Sequence, residues 1–440
     1  MFYNLLLQLR DLIWGLPFLI FVIGVSLTAT ISLGCIQFRK FFTSWSLIFA
    51  QDGKGSGELS PLQAFLNALS ASLGNGSIAG IATAIHTGGP GATFWIFVIG
   101  FLGMILRFCE VFLATSFSSI SHTGRSLGGP FLYLGKIPGG AYLPTIYALC
   151  CLGYSFSSGN SMQCNSISMA LTQVIPSLSP WIIGAVLTCF VAYILLGGAS
   201  RIAKISSFIV PLKVGLFFIS CTAVLLYHWA ELIPALMLIV KSAFNPQAFA
   251  GAAVGVTVQQ LFSSSLTRTI NASEAGLGTA GVIYGSAGSK NPLKDGLSAM
   301  LGTFISANLV CTMVALSIVV SGAWQTNANG SALTSAAFQT AFGVAGGWIV
   351  TALTLLFGVG VFVAYGFIGR QCWLFLTKDR FEHVFTILFS ACAFWGSIAD
   401  VSVVWAAIDI VNGGCLLINL FGILWLLPYI RAQVMVSLKA

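Results

Sequence analysis

Charge is what this sequence has least of. Lys, Arg, Asp and Glu make up 7% of its 440 residues, against about 25% in a soluble domain whose surface must face water. With 57% of residues hydrophobic, most of the outer surface must face lipid. The alternating apolar and polar period of a β-barrel is missing, so the spans are helices. The net charge of +8 does not point to nucleic acid, because the basic residues are scattered singly and form no basic run. The 11 cysteines lie mostly in apolar segments without the paired spacing of a zinc or redox site, and read as packing residues. His86, His122, His228 and His383 all fall at segment ends, so no deep histidine exists for an intramembrane protease or a proton relay. No nucleotide-binding loop is present to drive pumping. The expectation is a protein without catalytic residues, cofactor, nucleotide or nucleic-acid partner.

What the chain does have is long apolar runs. They fall near 12–33, 63–86, 91–117, 143–173, 180–197, 206–228, 246–285, 297–320, 346–369, 382–399 and 403–428, most of them near the roughly 20 residues a spanning helix needs and 246–285 longer than one span. This predicts an all-α, polytopic, multi-pass inner-membrane protein with about eleven helices. The first run is too long, and its flanking Arg10 and Asp11 too balanced, for a signal peptide. The shorter run Ile233 to Ala243 is expected to lie across the outer mouth. A single membrane domain occupies 1–440: an extra N-terminal helix and cytoplasmic loop (1–60), then five-helix units at 61–230 and 231–440.

Loop charge gives the orientation. One set of loops holds Arg39, Lys40, Lys54, Arg125, Lys136, Arg201, Lys204, Lys290, Lys294, Arg370, Lys378, Arg380, Arg431 and Lys439, 14 in all, while the opposite set holds Arg10 and Lys241. The N-terminus is therefore expected outside and the C-terminus in the cytoplasm.

Setting the first helix aside leaves ten, which divide into five and five of opposite orientation. The first segment of each half is interrupted by small and polar residues, and a matched pair of broken helices is a pointer to a transporter binding site. The first break reads Gly74-Asn75-Gly76-Ser77 within Ser72 to Gly80. An unwound turn there offers carbonyls to a cation, and the next half-helix offers amides to a carboxylate; close packing through small residues is the alternative. In the second segment the break falls either at Gly251, with Gly255 close by, or near Ser263 to Ser265.

Charges inside spans are Arg107, Glu110, Lys213, Arg268, Glu274 and Asp409, and each needs a partner or water. Arg107 and Glu110, three apart, are expected to pair locally. Lys213 is expected to snorkel to the interface. Glu274 and Asp409 are candidates for ion-linked roles. Among neutral residues, Gln163 and Ser166 stand three apart and could line a path, with Asn160 and Asn165 beside them; hydrogen bonding between helices is the alternative.

The motifs then resemble the sodium:alanine/glycine symporter family, over nearly the whole chain. The most specific stretch is GNGSIAGIATAIHTGGPGATFWIF from Gly74, with Glu110-Val111 after it. Further matches are Gly128 to Tyr133, Gly197 to Lys204, Ser273 to Gly278, Ala332 to Phe338 and Asp409 to Gly413. The resemblance implies a leucine-transporter-type 5+5 inverted repeat with one extra N-terminal helix, and sodium-coupled uptake of alanine or glycine by alternating access. It implies substrate contacts at Gly74, Asn75, Gly76 and Ser77, with Asn75 and Ser77 as sodium contacts, and Tyr365 standing where the family has Trp. Gln163, Gly251 and Gly255 complete the candidate substrate set. This chain departs from the family's Gly-Thr-Gly-Asn at 74–77, and has Arg370 where the family has an acidic residue. An uncoupled channel or a membrane scaffold retaining the fold is the competing class. The expected partners are a small amino acid, sodium ion and the lipid bilayer.

Overall fold

The computed structural model describes residues 13–49, 59–120, 126–245, 258–289 and 291–438. Among the described residues it is an all-α bundle apart from one short antiparallel strand pair, Ser119–Ile120 with Ser126–Leu127. Leaving one-turn pieces unlabelled, the helices of the first half are α1 (Leu16–Ser32), α2 (Phe41–Phe49), α3 (Pro61–Ser72), α4 (Ala79–Gly88) and α5 (Ala92–Ser116). They continue as α6 (Leu143–Phe156), α7 (Met162–Val174), α8 (Pro180–Leu196), α9 (Gly198–Tyr227) and α10 (Leu232–Phe244). The second half holds α11 (Val258–Ser273), α12 (Thr279–Gly285), α13 (Pro292–Thr303), α14 (Thr312–Val320) and α15 (Gly330–Phe342). It closes with α16 (Val344–Thr377), α17 (Glu382–Ile398) and α18 (Val401–Ser437).

Helix starts follow local chemistry. Ser60 and Gln63 form a reciprocal capping box around Pro61 at the head of α3, satisfying two amides the first turn would otherwise leave bare. Ser179 before Pro180 and Asn291 before Pro292 each accept one amide of the first turn of α8 and α13. Helix ends in three places lie inside apolar runs rather than at loops. The segment from α3 to α4 stops at Leu73, runs through a one-turn 3₁₀ helix at Asn75–Ser77, and resumes bent by 51°. A π-turn at Ser157–Ser161 joins α6 to α7, and another at Phe304–Cys311 joins α13 to α14.

Five described helices are long and apolar enough to cross a membrane, or six when the bent pair α3–α4 counts as one span. Three more apolar helices, α1, α8 and α17, have 17 residues each, about 25 Å at 1.5 Å per residue. The multi-pass character expected from the apolar runs is present.

Packing sets related elements against each other. The half-helix α3 lies on α12 and α4 lies on α11; α5 packs on α13, α6 and α7 on α16, and α8 on α17. Two broken segments are thus brought face to face at the centre of the bundle. One expectation is corrected here. The second broken segment runs unbroken through Ser263 to Ser265 as α11 and stops at Ser273, with the break at Glu274–Gly278. The sequence GluAlaGlyLeuGly provides the reason, since Glu274, Gly276 and Gly278 all take positive φ, a conformation glycine adopts at little cost. Gly251 and Gly255 lie outside the described residues.

Some of these contacts admit no side chain. A Cβ on Gly128 would sit 2.2 Å from the Gly285 Cα, so the Gly128-Gly129-Pro130 turn lies backbone on backbone against the end of α12. Gly302 in α13 has open space where its Cβ would be. Gly128→Ala should lower stability by about 1–3 kcal/mol, the usual cost of overpacking. Gly302→Ala should be neutral or gain up to about 1 kcal/mol of helix propensity. Melting in detergent distinguishes the two, and equal melting points would refute the backbone contact.

Candidate functional site

The first break leaves a helix end in the protein interior. The last carbonyls of α3 have no helical partner and form the negative end of its dipole. Lys213 of α9 meets them: its Nζ lies 2.9 Å from the Leu73 carbonyl, 3.1 Å from that of Ser70 and 3.3 Å from Ser70 Oγ. Its side chain is fully buried. The expected snorkelling of Lys213 is therefore corrected, because carbonyls inside the bundle take the role assigned to interfacial water.

At the second break Arg107 and Glu110 of α5 do comparable work from one helix turn. They pair with each other at 2.7 Å, as expected, and both are buried. Arg107 also donates from Nη2 to the Ser273 carbonyl at the end of α11, and from Nε to Thr303 Oγ1 at 3.2 Å. Glu110 Oε2 accepts the Gly278 amide at 2.8 Å, where α12 begins. A cation thus stands at a helix C-terminus and an anion at an N-terminus, both favourable to the dipoles. Asn419 donates to the Gly276 carbonyl at 2.8 Å and Tyr147 to that of Leu277 at 2.7 Å.

Between the two breaks lies a small closed cavity lined by Ala71, Gly74, Gly76, Ser158, Met162, Gln163, Asn271, Ala272, Glu274 and Ile408, with room for about one water molecule. Its one carboxylate is Glu274. That residue has φ 56° and its amide bonds the Ile270 carbonyl at 2.7 Å, the left-handed helix cap that glycine normally fills. Keeping a larger residue in this conformation costs about 1–2 kcal/mol, so the side chain is held there against the backbone's preference. Tyr365 of α16 donates to Glu274 Oε1 at 2.5 Å and Thr279 to Oε2 at 2.9 Å.

The other candidate residues distribute as follows. Gly74 and Gly76 line the cavity. Gln163 lines it too, accepting the Asn75 amide at 3.1 Å and donating to the Ser158 carbonyl at 3.0 Å. Tyr365 reaches the cavity through Glu274. Asn75 and Ser77 are fully buried but turn their side chains away from the lining, Asn75 toward α16, where a Cβ on Gly358 would lie 3.2 Å from its Nδ2. Neither atom of the Asn75 carboxamide has a hydrogen-bond partner, nor does Thr354 Oγ1 one turn before Gly358. Asn160 and Asn165 bond carbonyls of Phe389, Gly396 and Ala399, so they tie α7 and its preceding π-turn to the α17 region. Asp409 accepts from Asn271 at 3.0 Å and faces Arg268 at 3.5 Å.

Sequence reasoning missed Ala71, Ser158, Met162, Asn271, Ala272 and Ile408. Only Asn271 carried a signal, as an amide in a segment already suspected of being broken. The others are ordinary residues brought to the cavity by the π-turn and by packing.

Interrupted helices closing on a polar cavity, inside an apolar bundle with several membrane-crossing helices, define the class of multi-pass membrane carriers. The profile of the sodium:alanine symporter family matches residues 1–437, and the chain belongs to that family. It is 33% identical over 428 residues to an uncharacterized transporter of Haemophilus influenzae, covering 96% of this chain and 93% of that one. It is 32% identical over 435 residues to a sodium/alanine symporter of Methanococcus maripaludis, covering 97% and 95%. A probable sodium/glutamine symporter of Bacillus subtilis is 30% identical over 420 residues, covering 94% of this chain and 86% of its own length.

The buried pair yields a prediction. Arg107→Ala leaves the buried Glu110 without its counter-ion, still holding the Gly278 amide, and should cost about 3–5 kcal/mol. The double variant Arg107→Ala/Glu110→Ala should cost less than the sum of the two single changes. Thermal unfolding of the three proteins in detergent measures this, and strict additivity would show that the pair is not coupled.

Proposed function

We propose that the protein is a secondary active transporter that couples sodium entry to uptake of a small neutral amino acid, alanine or glycine, by alternating access. The observation that carries this reading is the cavity between the two breaks, with its single carboxylate facing glycine backbone. An amino acid presents an ammonium and a carboxylate. Glu274 suits the ammonium, since Tyr365 and Thr279 already orient both its oxygens. The backbone of Gly74 to Gly76 and the Gln163 amide suit the carboxylate. Ala71, Met162 and Ile408 supply an apolar wall that suits a short apolar side chain, and the cavity, with room for about one water molecule, must widen to admit even glycine.

For sodium we assign the Asn75 carboxamide oxygen, buried and without a hydrogen-bond partner, together with Ser77. Thr354 Oγ1, likewise unpartnered, joins them from α16. Such hard oxygen donors suit a hard cation. Moving one charge inward yields about 2.3 kcal/mol per 100 mV, enough to concentrate substrate. The pairing of α3/α4 with α11/α12, α5 with α13, α6/α7 with α16 and α8 with α17 supports two five-helix units in inverted orientation after one extra helix, about eleven spans. The loop charges support an external N-terminus and a cytoplasmic C-terminus in the inner membrane.

In proteoliposomes, alanine or glycine uptake should be saturable and should stop when the sodium gradient is collapsed with the pH gradient intact. Uptake that instead needs only the proton gradient would overturn the sodium assignment, and non-saturable flux would favour the channel alternative. Asn75→Ala removes a contact to a charged group worth about 1.5–3 kcal/mol, so sodium activation should weaken by roughly tenfold to a hundredfold. An unchanged sodium dependence beside a lowered melting point would leave Asn75 a packing residue.

A further inference from the structure

Lys213 differs from the other buried cation at a helix break. Arg107 has Glu110 as its counter-ion, whereas no carboxylate among the described residues lies within 4.0 Å of the Lys213 ammonium. What surrounds Nζ is the oxygen end of α3: two carbonyls and a hydroxyl at 2.9–3.3 Å. An ammonium has three donors, and here all three find oxygen. The Phe357 ring lies 5.4 Å away with its face toward Nζ, a further attraction for a cation.

The opposite wall is α16. Ser70 Oγ donates to the Gly360 carbonyl at 2.9 Å. A Cβ on Gly360 would lie 2.5 Å from Nζ and 2.7 Å from Ser70 Oγ, so the absence of a side chain at 360 makes room for the ammonium. Carbonyls at a helix end, a hydroxyl and a close-packed second helix form the kind of oxygen shell a hard monovalent cation occupies. Here a side chain from a third helix fills it.

We propose that Lys213 is a tethered cation. Its ammonium holds, at the junction of α3 and α16, a site that would otherwise take a free monovalent cation, and it joins the first half-helix to α16 permanently where an exchangeable ion would do so only while bound. This goes beyond the sodium coupling proposed above, because it concerns a second cation position at which this protein takes no sodium.

The test compares wild type with Lys213→Ala and Lys213→Gln, purified in detergent, by melting temperature in sodium, lithium, potassium and choline chlorides at equal ionic strength. The expected result is a melting temperature for the variants that is lowered in choline and restored by sodium or lithium, with a larger upward shift than sodium gives wild type. Alanine binding by the variants should show a steeper dependence on sodium concentration than wild type. Variants whose losses are the same in all four salts would overturn the proposal, as would variants that fail to fold in every salt, since a free ion should replace the tethered one. The melting measurement reads this site even if wild-type uptake proves independent of sodium, so the two proposals fail separately.

Discussion

A helix that stops inside a membrane protein leaves carbonyls and amides with no partner, and hydrocarbon offers none. This constraint organises the interior of the molecule. The chain stops twice near its centre, after Ser72 and after Ser273, and at each stop a buried charge on a neighbouring unbroken helix meets the exposed end. Lys213 answers the first and Arg107 with Glu110 answers the second. In a sequence with so few charges, three of the six that lie within spans are used to terminate helices inside the bundle.

The two solutions differ in kind. Arg107 and Glu110 form a closed pair that neutralises itself while holding both ends of one break, so the second break is electrically balanced and tied to α5. The first break is held at the α3 end by a lone positive charge, with the Asn75 carboxamide beyond it unsatisfied. The second break is therefore a fixed wall of the cavity, and the first break keeps bonding capacity left over behind its lining. Glu274, strained in a left-handed conformation, belongs to the fixed wall and aims its carboxylate from there.

Much of this was legible in the sequence. Apolar runs located the helices to within a few residues in most places, and Pro with Ser or Asn marked the starts of α3, α8 and α13. The glycine cluster at 74–76 announced the first break, and the spacing of Arg107 and Glu110 announced their pair. Of the two places expected for the second break, Gly251 lies outside the described residues and Ser263 to Ser265 is regular helix: a serine triplet looks like an interruption, yet Ser264 and Ser265 bond back to the Leu261 carbonyl. The signal for the break is the alternation of positive-φ positions in GluAlaGlyLeuGly, where two of the three are glycine. Lys213 differs from expectation because a lone lysine in an apolar helix is usually satisfied by water at the membrane face. Its partner lies 140 residues away in sequence, and no local pattern reports such a distance.

The π-turn at Ser157–Ser161 carries one more consequence, in terms of how such a chain could diversify. A wide turn of this kind accommodates one residue more than a regular helix over the same rise. A lineage losing a single codon from this stretch would recover an ordinary helix with the residues on either side still in register, because the π-turn and an α-turn one residue shorter make nearly the same rotation. Gln163, just beyond the turn, would keep its place beside the Asn75 amide, while the backbone and side chains of Ser157–Ser161 would be rearranged. The cavity wall at Ser158 can therefore change by length as well as by replacement, and alignments that treat this stretch as gap-free helix would shift every residue beyond it by one.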